Sequence, residues 1–162
     1  MQPPPIPENE KERLLAVLEL GILDTASEER FDKITREAVK YFNVPMSMIS
    51  IIDKEREWYK SCVGVRSRES PRAVSFCGHA LLAKDVFIVE DTHKDPRFKD
   101  NPSVTGPPFV RFYAGIALRN LKNNHLIGVF CIKSREPRTL SSEETEKLFS
   151  LALEAEKELN RK

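Results

Sequence analysis

The feature that most constrains this chain is a change of period at Asn43-Val44-Pro45. Just before it, Phe31, Ile34, Ala38 and Tyr41 recur at spacings of three and four, the mark of a helix with one buried face. After it the apolar residues come in short β-type runs: "MSMISIID" (46–53), "EWYKSCVG" (57–64), "VFIVED" (86–91), "RFYAGIAL" (111–118) and "LIGVFCIKS" (126–134). Asp53-Lys54-Glu55-Arg56 separates the first two runs and "RNLKNNH" the last two, and both spacers suit hairpin turns. Two antiparallel hairpins therefore follow a helical start.

Helix signals frame this β region. Leu14, Leu15, Val17 and Leu18 form a stripe over residues 9–20, with Gly21 as its stop. Thr25-Ala26-Ser27-Glu28 has the capping-box pattern and opens the second helix. Ser141-Ser142-Glu143-Glu144 opens the last, whose Leu148, Ala152, Ala155 and Leu159 form a narrow seam able to pack on its own sheet or pair with a second copy. Residues 75–82, "SFCGHALL", read as a short helix, and the Pro-rich "HKDPRFKDNPSVTGPP" (93–108) as a long ordered loop or lid. Pro3, Pro4, Pro5 and Pro7 make residues 1–8 an extended, flexible tail, which leaves residues 9–162 as one domain. The order is that of an α+β sandwich: an antiparallel sheet, terminal helices on one face, and the short helix and long loop on the other.

Bulk properties narrow the function. Lys and Arg number 26 against 25 Asp and Glu, a net charge of +1, which argues against nucleic acid or an anionic membrane as partner. The opening "MQPPPIPENEKERLL" lacks the basic start and apolar core of a signal peptide, and no apolar run reaches the roughly 20 residues that span a bilayer. Cys62, Cys77 and Cys131 are odd in number and widely spaced, so reduced thiols and a cytoplasmic setting are expected rather than a disulfide framework.

Taken together, "GILDTASEERFDKITREA" (21–38), "VPMSMISIIDKEREWYKSCVG" (44–64), "SFCGHALL" (75–82), "IVEDTHKDPRFKDNPSV" (88–104), "RFYAGIAL" (111–118) and "IGVFCIKSREPRTLSSEE" (127–144) resemble a GAF domain. The similarity is to the version found at the N-terminus of bacterial sensor kinases and diguanylate cyclases. It implies a sheet of about six strands, once a short edge strand is added, with a ligand pocket under the 75–110 region. It also implies signalling through the terminal helices, a homodimer formed through them, and a kinase or cyclase effector outside this chain.

The candidate chemistry centres on Cys77 and His79. Side chains at i and i+2 diverge by about 200° around a helix, which opposes both a shared metal and a thiol–base couple. Buried cysteines usually act as small hydrophobes, so Cys77 reads as packing and His79 as a polar tie to the loop with Asp91 and Asp95. Free methionine-(R)-sulfoxide reductases are similar in fold and share the Cys77-Gly78 pair ahead of Val89-Glu90-Asp91-Thr92-His93. That resemblance implies a second, resolving thiol in the 94–110 loop; here Cys62 or Cys131 would have to substitute. The cysteine–histidine pair of bilin-carrying relatives is not found after the third strand.

Aromatic walls with a few polar groups describe an ordinary small-molecule pocket. Strand alternation sends Arg111, Tyr113, Gly115 and Ala117 to one face, read as the pocket side, and Phe112, Ala114, Ile116 and Leu118 to the helices. Asp95-Pro96-Arg97 reads as a turn closed by an ion pair, and no Gly-rich phosphate loop is present. The expected ligand-binding set is Trp58, Cys77, His79, Asp91, Phe98, Arg111, Tyr113 and Cys131, with no catalytic residue, metal or cofactor. A sensory module is the reading this supports; a thiol reductase and a purely structural dimerisation module are the alternatives.

Overall fold

A computed structural model describes residues 1–161. Helix α1 (Glu10–Leu20) ends at Gly21, whose left-handed backbone (φ 64) stops it as expected. Helix α2 (Glu29–Phe42) follows, ending at left-handed Asn43. Strands β1 (Met46–Ile52) and β2 (Arg56–Val63) form the first hairpin, and β3 (Glu69–Pro71) is the short edge strand that only the resemblance implied. Helix α3 (Phe76–Ala80), β4 (Val86–Val89) and the helical turn α4 (Pro102–Thr105) come next. The second hairpin, β5 (Phe112–Asn120) and β6 (His125–Ser134), has a tighter turn than the polar run suggests, and α5 (Ser142–Leu159) closes the described chain.

All six strands form one antiparallel sheet in the order β3-β2-β1-β6-β5-β4. Its two faces carry separate cores. Ile49, Ile51, Phe112, Ala114, Ile116, Phe130 and Ile132 pack against α1, α2 and α5. Met46, Met48, Tyr59, Tyr113, Val129 and Cys131 pack against α3 and the 98–110 loop. The three-layer α+β arrangement and the two faces of β5 are those the alternation predicts.

Three local expectations fail. Thr25 does not cap α2: its Oγ1 donates to the Ile22 carbonyl and accepts from Lys60 Nζ, while Glu28 binds Arg30 and Lys60. The helix starts at Glu29, with no side-chain cap. Residues 1–8 are extended but not free. Gln2 N–H donates to the Arg97 carbonyl, the N-terminal ammonium pairs with Asp100, and Pro4 is buried against Gly78. The proline run, with few donors of its own, lays an extended strap over α3. The 93–108 loop also carries structure that its prolines hide: α4 begins at Pro102, where the missing N–H costs nothing, and Asn101 caps it by accepting from Ser103 N–H at 2.9 Å.

Candidate ligand-binding site

The expected pocket lies under α3, and its centre is filled by the protein's own side chains. Phe76 stacks on Phe98 with ring centroids 4.3 Å apart and on Tyr113 at 5.2 Å. Tyr113 folds back over Gly115, so the room left by that glycine is taken by the phenol ring; a Cβ there would lie 2.3 Å from Tyr113 Oη. Tyr113 Oη donates to Cys77 Sγ at 3.1 Å, and Cys77 Sγ lies 3.7 Å from Cys131 Sγ. Cys131 in turn meets Met48 Sδ at 3.8 Å. The register sets this up, because Cys131 sits opposite Gly115 on one side and Met48 on the other.

Cys77 and Cys131 are both fully buried and free. Burial, reinforced by the neighbouring Cys131, pushes the Cys77 thiol well up, and burial does the same to the Tyr113 phenol. Half-buried Cys62 is pushed up to about 11, again chiefly by burial. None has the electropositive, partly exposed surroundings that make a thiolate.

His79 points away from Cys77, as helical spacing requires. Its Nε2 meets the Gln2 carbonyl at 3.0 Å, and since a carbonyl only accepts, Nε2 carries the proton. His79 therefore ties α3 to the N-terminal strap, not to the loop with Asp91 and Asp95. Its ring packs edge-on to Phe98 at 4.8 Å, and burial lowers its pKa against the pull of the Gln2 bond.

The remaining expected residues do not converge. Trp58 sits opposite Ile51 on the helix-facing side, because alternation along β2 turns Tyr59, not Trp58, toward α3. Asp91 pairs with Arg111 at 3.0 Å and accepts from His93 N–H, a clip between the end of β4 and the start of β5. Desolvation pushes the Asp91 pKa up, but the Arg111 and His93 hydrogen bonds and charges together outweigh it and the net shift is down. Asp95 and Arg97 close their own turn at 2.7 Å, as the sequence suggests. Phe98 is core.

The open site on this face lies to one side, a cleft of about 260 Å³ between β2–β3, the start of α3 and the 102–108 loop. Met48, Tyr59, Val65, Val74, Phe76 and the prolines of the loop supply apolar walls; Ser67, Ser70, Ser75 and Ser103 supply hydroxyls. None of the eight expected residues lines it. Two buried charges do: Glu57 on β2 and Lys133 on β6. Ser50 Oγ donates to Glu57 Oε2 at 2.6 Å, and Ser70 Oγ reaches Oε1 at 3.5 Å while accepting from Tyr59 Oη at 3.0 Å. Burial is the largest influence on the Lys133 ammonium and disfavours it, but Glu57, Cys131, Cys77 and Tyr59 together outweigh it and the net shift is upward. Both residues were legible in the sequence as charges inside strand runs, a rare placement that marks a site better than the aromatics do.

Comparisons with known proteins agree with this architecture. The GAF domain family profile matches residues 27–159. A cyclic di-GMP phosphodiesterase of Pseudomonas aeruginosa is 44% identical over 138 residues, which is 85% of this chain and 23% of that protein. The chain thus spans about a quarter of that relative's length. Among solved structures, the blue-light-absorbing form of the PixJ GAF domain of Thermosynechococcus elongatus superposes with a TM-score of 0.65 at 12% identity, covering 97% of this chain and 90% of that one. The free methionine-R-sulfoxide reductase of Neisseria meningitidis, in complex with its substrate, gives 0.62 at 15% identity, covering 99% and 97%. At such identities these structures speak to the fold alone. The strand order, the two-faced sheet and the profile match over most of the chain together place this chain in the GAF domain family.

Proposed function

We propose that this GAF domain is a non-catalytic, cytoplasmic sensory module that binds a small molecule in the cleft beside Glu57 and Lys133. The carrying observation is the cleft itself, whose apolar walls surround two buried charges that are not in contact. Occupancy is felt across the sheet because the same strands serve both faces: Lys133 lines the cleft while its neighbour Ile132 packs under the terminal helices. The effector is a separate domain, and the phosphodiesterase relative supports a cyclic-dinucleotide enzyme in that role. Exposed Leu15 and Leu18 on α1 and Leu153 on α5 support a homodimer through the terminal helices.

The test is a thermal-shift screen of a metabolite panel, repeated on Ser70→Trp, which fills the cleft. A ligand that raises Tm in the parent and not in Ser70→Trp is expected. A ligand indifferent to Ser70→Trp overturns the site, and a silent panel favours a purely structural dimerisation module, a reading the packed centre under α3 already suits.

A further inference from the structure

The cleft's two charges specify what it takes, and this inference rests on the reading of that cleft as the sensory site. Lys133 is only 8% exposed. Its Nζ lies 5.8 Å and 5.9 Å from the Phe76 and Tyr113 ring centroids. Among the described residues it has no hydrogen bond and no ion pair, and it faces the cleft. Its ammonium keeps some contact with solvent in the cleft and is free to take an anionic partner there. Glu57 is 1% exposed, and its partners Ser50 and Ser70 are neutral donors that hold the carboxylate without cancelling its charge. The other lining carboxylate, Glu69, is exposed at the rim and committed to Arg56 at 3.0 Å.

The two buried charges are therefore opposite in sign, share one cavity, and stand too far apart for a direct ion pair. A simple anion is drawn to Lys133 and repelled by Glu57, and a simple cation meets the reverse. A phosphate ester brings more negative charge than one ammonium balances, and the Glu57 carboxylate in the same cleft repels it. A cyclic dinucleotide also exceeds a cleft of about 260 Å³.

The geometry points to a compact zwitterion with an apolar body, its anionic end on Lys133, its cationic end on Glu57, and its body against Val65, Val74, Phe76 and Pro102. A free α-amino acid with an aliphatic side chain is the simplest member of this class. The serine hydroxyls around Glu57 add acceptors for the remaining N–H groups of such an ammonium.

The experiment is titration calorimetry on the whole chain with L-leucine, its anion-only counterpart N-acetyl-L-leucine and its cation-only counterpart L-leucinamide. Amide shift mapping by NMR locates the bound molecule. Leucine is expected to bind at least about tenfold more tightly than either counterpart. Glu57→Gln, nearly isosteric, should close the gap to N-acetyl-leucine, and Lys133→Met the gap to leucinamide. Shifts should cluster at residues 57–70, 76 and 133. If leucine binds there but both counterparts bind as well, the ligand class is wrong while the cleft stands. If its shifts fall elsewhere, the cleft reading falls. No binding of leucine, methionine or glycine betaine up to about 10 mM overturns the zwitterion, and the Ser70→Trp screen still decides the cleft separately.

Discussion

Glu10 is the residue on which one corner of the molecule turns. It accepts from Arg13 Nε at 2.8 Å and pairs with Arg72, whose guanidinium also reaches the Asp53 and Lys54 carbonyls. Arg13 is fully buried and donates to the Ile52 carbonyl at 2.7 Å, so one carboxylate joins α1 to the first hairpin and the approach to α3. Truncating it strands two buried guanidiniums. Glu10→Ala is expected to lower stability by about 3 kcal/mol in urea denaturation. Desolvation tends to raise the Glu10 pKa, but the Arg72 and Arg13 hydrogen bonds win and the net shift is downward from 4.5. The stabilisation is therefore present above pH 4.5 and is lost as pH falls through the depressed folded value; Glu10→Gln should flatten that limb of the stability profile. The buried thiols give a second prediction. At pH 7.5 an aromatic disulfide reagent should find no fast-reacting cysteine in the folded chain and all three after unfolding, whereas a thiol enzyme would show one fast site. At this scale sequence reasoning separated Cys77 from His79, because the divergence is a property of the helix. It missed the meeting of Cys77 and Cys131, which depends on sheet register.

At the scale of elements, two identical-looking caps had different fates. Ser141 Oγ accepts from Glu144 N–H at 3.1 Å while Glu144 Oε1 accepts from Ser141 N–H at 2.9 Å, a complete capping box on exposed backbone. Ser141→Ala should cost about 1 kcal/mol, read as a lower urea midpoint with unchanged slope. The matching Thr25 pattern fails because Lys60, inside β2 and itself buried, draws on Thr25, the Ala26 carbonyl and Glu28. A distant strand outbid a local signal. The N-terminal strap is another element that composition misjudged. Prolines explain its extension, but its docking rests on Gln2 and Pro4 meeting Arg97, His79 and Gly78. Deleting residues 1–5 should speed amide exchange in α3 at least about tenfold while leaving α5 unchanged, since α3 lies beneath the strap and α5 on the far side of the sheet.

For the whole molecule, the proposed self-association predicts a sedimentation coefficient that rises with concentration in the parent and stays monomeric in a Leu18→Glu/Leu153→Glu variant. Leu18 and Leu153 are 66% and 64% exposed, so the change should leave the monomer's Tm nearly intact. The sequence by itself determined the order of every main element except β3 and α4, both hairpins, the two faces of β5 and the fold class. Each follows from periodicity, and periodicity is carried by neighbours in the chain. Only the tertiary structure decided which space stays open. Tyr113 and Phe98 looked like pocket walls, yet both stack with Phe76 under α3 and fill the space between them. Trp58 went to the other face for want of a residue-by-residue register. The cleft instead formed where β3 and the 102–108 loop leave a gap over Glu57 and Lys133, residues 76 positions apart in the chain. No local pattern brings two such charges to one cavity; the crossing of the chain from β2 to β6 through β1 does.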